Sequence, residues 1–260
     1  MTSLPVLMDV DAHKVATLTL NRPDKANACN QPMLDRLAEL IARVGADPAI
    51  RVVVLRGSGK YFCSGRDISD ATQPDSRNLE QTSFLDVCRA LDAVPKPTIA
   101  VIRGGCIGGG ASLVACCDFA IASSDSFFAL PEARVGLAPG PLALICIRAM
   151  QHRGLRRYLL SGERFTAERA RELQLIHEVQ PPSNIEKLLS EAIDSFLLGA
   201  PGALSAAKTV LAKSATALNG HLFDEVSAIF EWQARSDEAA EGKASFRAKR
   251  RPSWYPAPAR

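Results

Sequence analysis

The densest chemical feature of the sequence is a run of glycines, Gly104-Gly105-Cys106-Ile107-Gly108-Gly109-Gly110, set between an apolar segment of strand character and a helix-compatible one. No glycine in it has partners at both i+2 and i+5, which excludes the dinucleotide fingerprint. None is followed by Lys-Ser/Thr at the spacing of a phosphate-binding loop. The chemistry left is that of backbone N–H groups at a helix N-terminus, which stabilise negative charge. Close helix–sheet packing would ask for the same glycines. A second segment, Lys60-Tyr61-Phe62-Cys63-Ser64-Gly65-Arg66-Asp67-Ile68, makes a glycine-containing turn directly after a strand. Neither Ser64 nor Ser112 has a His in a nearby motif, so a Ser-His-Asp triad is unsupported.

The elements that must position these groups follow from hydrophobic periodicity. Val15 to Leu20 alternates apolar and Thr positions, the period of a strand with one face buried. From Asn30 as N-cap, Met33, Leu34, Leu37, Leu40, Ile41 and Val44 recur at helical spacing, and Gly45 supplies a stop. Val52 to Leu55 and Thr98 to Ile102 are continuous apolar runs bounded by Gly or Pro, as strands buried on both faces would be. The segment after Gly110 reads as a helix, and Asp118 to Ser123 returns to strand character. The order strand, helix, strand, helix, strand predicts an α/β fold.

A further helix is predicted from Pro141 to Met150, with Pro in its first turn. Ser183-x-x-Glu186 reads as a capping box opening another. Pro201 opens a second C-terminal helix, and Asn219 caps a third that carries Leu222, Phe223, Val226, Ile229 and Phe230. Helices without intervening strands divide the chain into a core, 1–198, and a helical subdomain, 199–260, joined through Gly199-Ala200-Pro201-Gly202.

Composition narrows the function classes. With 260 residues, 47% of them hydrophobic, the chain buries a full core without a disulfide frame or a structural metal. The net charge of +3 is too mild a basic excess to argue for nucleic acid. The last 18 residues are the exception: Lys243, Arg247, Lys249, Arg250, Arg251 and Arg260 gather there with no acid, as an anion site or a solvated basic tail would. The longest uncharged run, Gly104 to Cys117, is too short for a membrane span. The N-terminus lacks the basic region and cleavage site of a signal peptide, and seven cysteines without a C-x-x-C pair suit reduced core thiols, so a cytoplasmic location without a zinc site is expected.

Together the two glycine segments fall into a wider pattern. LNRPDKANACN at 20–30, VVVLRGSGKYFCSGRDI at 52–68, KPTIAVIRGGCIGGGASLVACCDFAIAS at 96–123, FALPEARVGLAP at 128–139 and EGKASFRAKRRPSW at 241–254 resemble, in order, the crotonase (enoyl-CoA hydratase/isomerase) superfamily. The resemblance implies a spiral of repeated β-β-α units with a C-terminal helical trimerisation subdomain, hence a homo-trimer or homo-hexamer. It implies an acyl-CoA thioester whose carbonyl is held by the N–H groups of Arg66 and Gly109, with no cofactor beyond the coenzyme A of the substrate. Glu132, in Leu130-Pro131-Glu132-Ala133, matches one of the two glutamates many family hydratases use as acid and base. The other position holds Ser112, whose hydroxyl orients a water but accepts no proton at neutral pH.

Lys25, Ala26, Ser64, Asp67, Ile68 and Gly108 fall, by the same resemblance, where the family binds substrate. Phe246 and Lys249 match residues that close over the nucleotide, often from a neighbouring subunit. Asp118 resembles the family's structural Asp, expected to cap or pair, whereas Asp67 and Asp70 are expected to be solvated. None of His13, His152, His177 and His221 sits at a family catalytic position. The stretches around VGLAPGPLALICIRAM and RRYLLSGERFTAERARELQLIHEV look like hydratases of the methylglutaconyl-CoA type. A Δ3,Δ2-enoyl-CoA isomerase, which needs one base to carry a proton from C2 to C4, stays open as the alternative.

Overall fold

The apolar runs read from the sequence become neighbouring strands of one sheet. The computed structural model describes residues 4–67, 81–135, 142–214, 232 and 235–256. Strands β1 (Val6–Val10), β2 (Val15–Leu20), β3 (Val52–Gly57), β5 (Thr98–Ile102), β7 (Phe119–Ser123) and β10 (Glu178–Gln180) lie side by side in that order. All pairs are parallel except β1 with β2.

Alternation along each strand sorts the side chains onto two faces. Val53, Leu55, Ala100, Ile102, Ala120 and Ala122 enter one core cluster, with helix α1 (Gln31–Ala46) and helix α2 (Phe84–Ala93). Val52, Val54, Ile99, Val101 and Ile121 enter another, closed by Ile185, Leu189 and Leu197 of helix α7 (Ile185–Leu198). Both faces are covered, which is why these strands read as unbroken apolar runs.

A smaller sheet, β4 (Tyr61–Cys63), β6 (Gly105–Ile107), β8 (Phe127–Ala129) and β9 (Phe165–Thr166), runs beside the first. The two sheets show the repeat. In β3-β4-α2, in β5-β6-α3 (α3, Gly109–Ala115) and in β7-β8-α4 (α4, Leu142–Ala149), the first strand joins the large sheet and the second the small one, and a helix follows. This is the expected spiral of β-β-α units. Its consequence is positional: the turns after β4, β6 and β8 come from strands that lie side by side, so residues 64–67, 108–110 and 130–132 are neighbours.

Helices α5 (His152–Ser161), α6 (Ala167–Glu172), α7 and α8 (Pro201–Ser214) complete the wrap, and a last helix spans Asp237–Arg247. Asn30 caps α1 as expected, accepting from the Met33 N–H, but the helix runs through Gly45 to Ala46 and stops at Asp47. The Ser183 capping box does not form. Asn184 is the N-cap of α7 and makes no side-chain cap bond, while the Glu186 carboxylate is drawn outward to Arg56 and Arg103, at 2.7 and 3.1 Å. Pro141 and the helix expected from Asn219 lie outside the described residues. All seven cysteines are buried free thiols. Among the described residues no single helix is long and apolar enough to cross a membrane.

Candidate active site

The turn after β4 is held by the 21–30 loop. The Ser64 N–H donates to the Ala26 carbonyl at 3.0 Å, the Cys29 N–H to the Gly65 carbonyl at 2.8 Å, and the Asp67 N–H to the Cys29 carbonyl at 3.0 Å. Arg66 thus forms a parallel bridge with Cys29. In such a bridge the flanking peptides face the partner and the central residue's own N–H faces away. Among the described residues the Arg66 N–H has no acceptor.

What it faces is set by Gly65. This residue has φ +87°, and a Cβ there would lie 3.0 Å from the Gly109 nitrogen and 3.1 Å from the Ile107 carbonyl oxygen. A side chain would push the two turns apart. Gly109 is the first residue of α3, so its N–H has no intrahelical partner, and none is supplied elsewhere among the described residues. The preceding residue, Gly108, has φ +54° and donates its N–H to the Ala129 carbonyl at 2.9 Å, tying the turn to β8. Two unengaged backbone donors therefore sit in adjacent turns, preorganised by strand pairing.

Glu132 reaches the same spot. It opens a short 3-10 turn, Glu132–Val135. Its Oε1 would lie 3.0 Å from a Cβ on Gly108, so the carboxylate rests against that glycine. Among the described residues its buried Oε2 has no hydrogen-bond partner. Burial raises the carboxyl's pKa above the ordinary glutamate range. A carboxyl poised this way, beside donors aimed at developing negative charge, suits proton transfer at a carbon next to a carbonyl.

Ser112, on α3, is 2% exposed. Its hydroxyl donates to the Leu142 carbonyl at 3.2 Å and lies 3.6 Å from Cys146 Sγ, so it ties α3 to α4. Burial, opposed by the Ser112 bond and reinforced by Glu132, pushes the Cys146 thiol up to about 11. Lys25 is exposed on the turn Pro23–Lys25, and Ala26 adopts φ 51° to offer its carbonyl to Ser64. The Arg66 side chain is exposed.

Asp67 differs from expectation. It is 8% exposed and pairs with Arg22 at 2.9 Å, because the bridge to Cys29 turns its side chain toward the 21–30 loop. Asp70 and Ile68 lie outside the described residues. Phe246 falls in the helix Asp237–Arg247, and Lys249 is exposed just beyond it with φ 50°. Asp118 pairs as expected: it accepts from the Thr98 N–H and hydroxyl, both at 2.8 Å, and from Lys208 at 2.6 Å. His177 is structural, its Nδ1 accepting from the Ala120 N–H at 3.0 Å.

Two residues escaped the sequence reading. Asn27 is fully buried, and its amide donates to the carbonyls of Ser58, Tyr61 and Phe62 while accepting from the Arg22 N–H. Phe84 lays its ring against Gly109, where a Cβ would meet it at 2.8 Å. The box Ser83-x-x-Asp86, with Val87, Cys88 and Leu91 following at helical spacing, was the available signal for Phe84.

A spiral of β-β-α units that gathers two unengaged N–H groups and a half-buried carboxyl into one site defines a crotonase-fold protein. The chain belongs to the enoyl-CoA hydratase/isomerase family, whose model matches residues 11–256. It is similar to the (E)-benzylidenesuccinyl-CoA hydratase of Thauera aromatica, 32% identical over 96% of this chain and 99% of that protein. It is also similar to the 2,3-dehydroadipyl-CoA hydratase of Escherichia coli K12, 30% identical over 93% of this chain and 95% of that one. Among solved structures, Pseudomonas aeruginosa AtuE superposes with a TM-score of 0.91 at 31% identity, covering 96% of this chain and 99% of that one.

Proposed function

We propose that the chain is an enoyl-CoA hydratase acting on an α,β-unsaturated acyl-CoA thioester, with no cofactor beyond the coenzyme A of its substrate. The observation that carries this is the Glu132 carboxylate resting on Gly108, beside the unengaged N–H groups of Arg66 and Gly109. The thioester oxygen accepts from both donors. Glu132 takes a proton from water as the hydroxide oxygen bonds to C3, and the C2–C3 π electrons move onto the thioester as an enolate. The enolate then collapses, and C2 takes the proton back from the Glu132 carboxyl. Each donor of this kind contributes roughly 3–4 kcal/mol to such a transition state.

Ser64, Asp67, Ile68, Gly108, Lys25 and Ala26 belong on this reading to the substrate channel, with Phe246 and Lys249 closing over the nucleotide. The oligomer is a trimer or hexamer built through residues 199–260, in the cytoplasm. The hydratase names of the two relatives support water addition. One observation favours the second reading, a Δ3,Δ2-enoyl-CoA isomerase: the Ser112 hydroxyl is already donated to Leu142, leaving one acid/base at the site. A panel of acyl-CoAs incubated in deuterated water and read by mass spectrometry separates the two. Hydration adds the mass of water; isomerisation gives label exchange alone.

A further inference from the structure

We propose that Arg22 is a positioning residue for the Arg66 N–H, acting through Asp67. The inference rests on the reading above, in which that N–H polarises a thioester carbonyl.

The direction of the Arg66 N–H depends on a single bridge to Cys29, made of two hydrogen bonds. Arg22 fastens both sides of that bridge. One nitrogen of its guanidinium donates to the Ala28 carbonyl at 2.5 Å, on the Cys29 strand, and to Asp67 Oδ2 at 2.9 Å, on the Arg66 strand. The base of the side chain is as well fixed as the tip. The Arg22 N–H donates to Asn27 Oδ1 at 2.8 Å, and the Arg22 carbonyl accepts from Lys25 and Asn27 at 3.0 and 2.9 Å.

The side chains of Arg22 and Asp67 are 19% and 9% exposed. A buried ion pair of this kind adds little net stability, since desolvation offsets attraction. What it sets is geometry: an arginine donor reaching two oxygens fixes their separation. Without the guanidinium, the tie between the Ala28 carbonyl and the Asp67 carboxylate is lost. The two sides of the bridge then spread, rotating the adjoining Arg66 peptide and moving its N–H off the carbonyl. An error of about 1 Å in such a donor costs up to about a hundredfold in rate.

The test compares wild type with Arg22→Met, which keeps the length of the side chain and removes its charge and donors. Two readouts are taken: kcat and KM for an enoyl-CoA, and the infrared carbonyl stretch of a bound thioester labelled with 13C at C1. The wild-type band is expected below its solution frequency. In Arg22→Met it moves back toward that frequency, and kcat falls about ten- to a hundredfold with KM little changed. Arg22→Lys, which keeps the charge, recovers part of both. Should Arg22→Met fail to fold, Asp67→Asn carries the same readouts, because it leaves only a partly exposed guanidinium to be solvated.

A variant band as far shifted as the wild type overturns the role of Arg22 and leaves the proposed function standing. An unshifted wild-type band overturns the carbonyl-binding reading, and this inference falls with it.

Discussion

At the scale of single residues, the buried Oε2 of Glu132, unpartnered among the described residues, is costly to ionise, and burial raises the carboxyl's pKa accordingly. A group whose folded pKa lies above its unfolded value binds more protons when folded. Its contribution to stability is complete below the unfolded value, about 4.3 for glutamate, and is lost as pH rises through the folded value. Glu132→Gln should therefore melt at a higher temperature than wild type at pH 8, the gap closing as pH falls toward about 4. The same substitution should lower turnover about 10²–10⁴-fold, the span of general acid–base catalysis. Wild-type kcat/KM should rise with pH along a limb centred above the ordinary carboxylate value. A variant that is less stable at pH 8 would mean the carboxylate has a partner, and would remove the basis for a tuned acid/base.

Arg66 separates backbone from side chain. Its side chain is exposed while its N–H is unengaged, so Arg66→Ala should spare kcat and at most raise KM. Arg66→Pro deletes the donor and should lower kcat on the order of 10²–10³-fold in a variant still folded and binding coenzyme A. Equal damage from both would make the guanidinium the working group.

At the scale of elements, Asn27 shows how one side chain holds the site's scaffold. It adopts φ 53° and donates to the carbonyl of Ser58, just after β3, and to those of Tyr61 and Phe62 in β4, so the 21–30 loop is tied to the strand that leads into the Arg66 turn. Asn27→Gly, which tolerates the positive φ, isolates the hydrogen-bond loss. It should cost roughly 3 kcal/mol or more in denaturant unfolding, and Asn27→Ala about 1 kcal/mol beyond that for the left-handed backbone. Values within about 1 kcal/mol of wild type for both would show that other groups satisfy those carbonyls.

This is also where the legibility of the sequence divides. Strands such as Val52–Gly57 and Thr98–Ile102 and helix α1 were readable because burial imposes a period or an unbroken apolar run, whereas helix α8, whose described side chains are at most half-buried, was announced only by Pro201. The short strands β4, β6, β8 and β9 have two or three residues each, too few to show a period. They are nevertheless what brings residues 65, 108 and 132 together, and the motif resemblance stood in for periodicity there. The Ser183 box failed because Glu186 pairs instead with Arg56 of β3 and with Arg103 just beyond β5. Asn27 and Arg22 could not be found from spacing at all, since their partners lie up to 45 residues away.

At the scale of the whole molecule, several large apolar side chains stay in water. Leu144 is 67%, Leu160 70% and Leu198 51% exposed, on α4, α5 and α7. A trimer or hexamer would give such residues cover, and light scattering should return three or six times the 27.9 kDa chain mass. A monomer at micromolar concentration would defeat that assembly.

Lys249 gives the assembly a functional test. It stands exposed beyond the Asp237–Arg247 helix, where the family resemblance places a residue that closes over a neighbouring subunit's nucleotide. Glu132→Gln and Lys249→Ala chains, unfolded together and reassembled, should form mixed oligomers in which some sites have an intact Glu132 from one chain and an intact Lys249 from the next. At substrate concentrations below KM the mixture should then exceed the average of the two parent variants. If Lys249 serves its own chain, every site in the mixture carries one defect or the other. Activity then stays at that average, and the shared site is refuted.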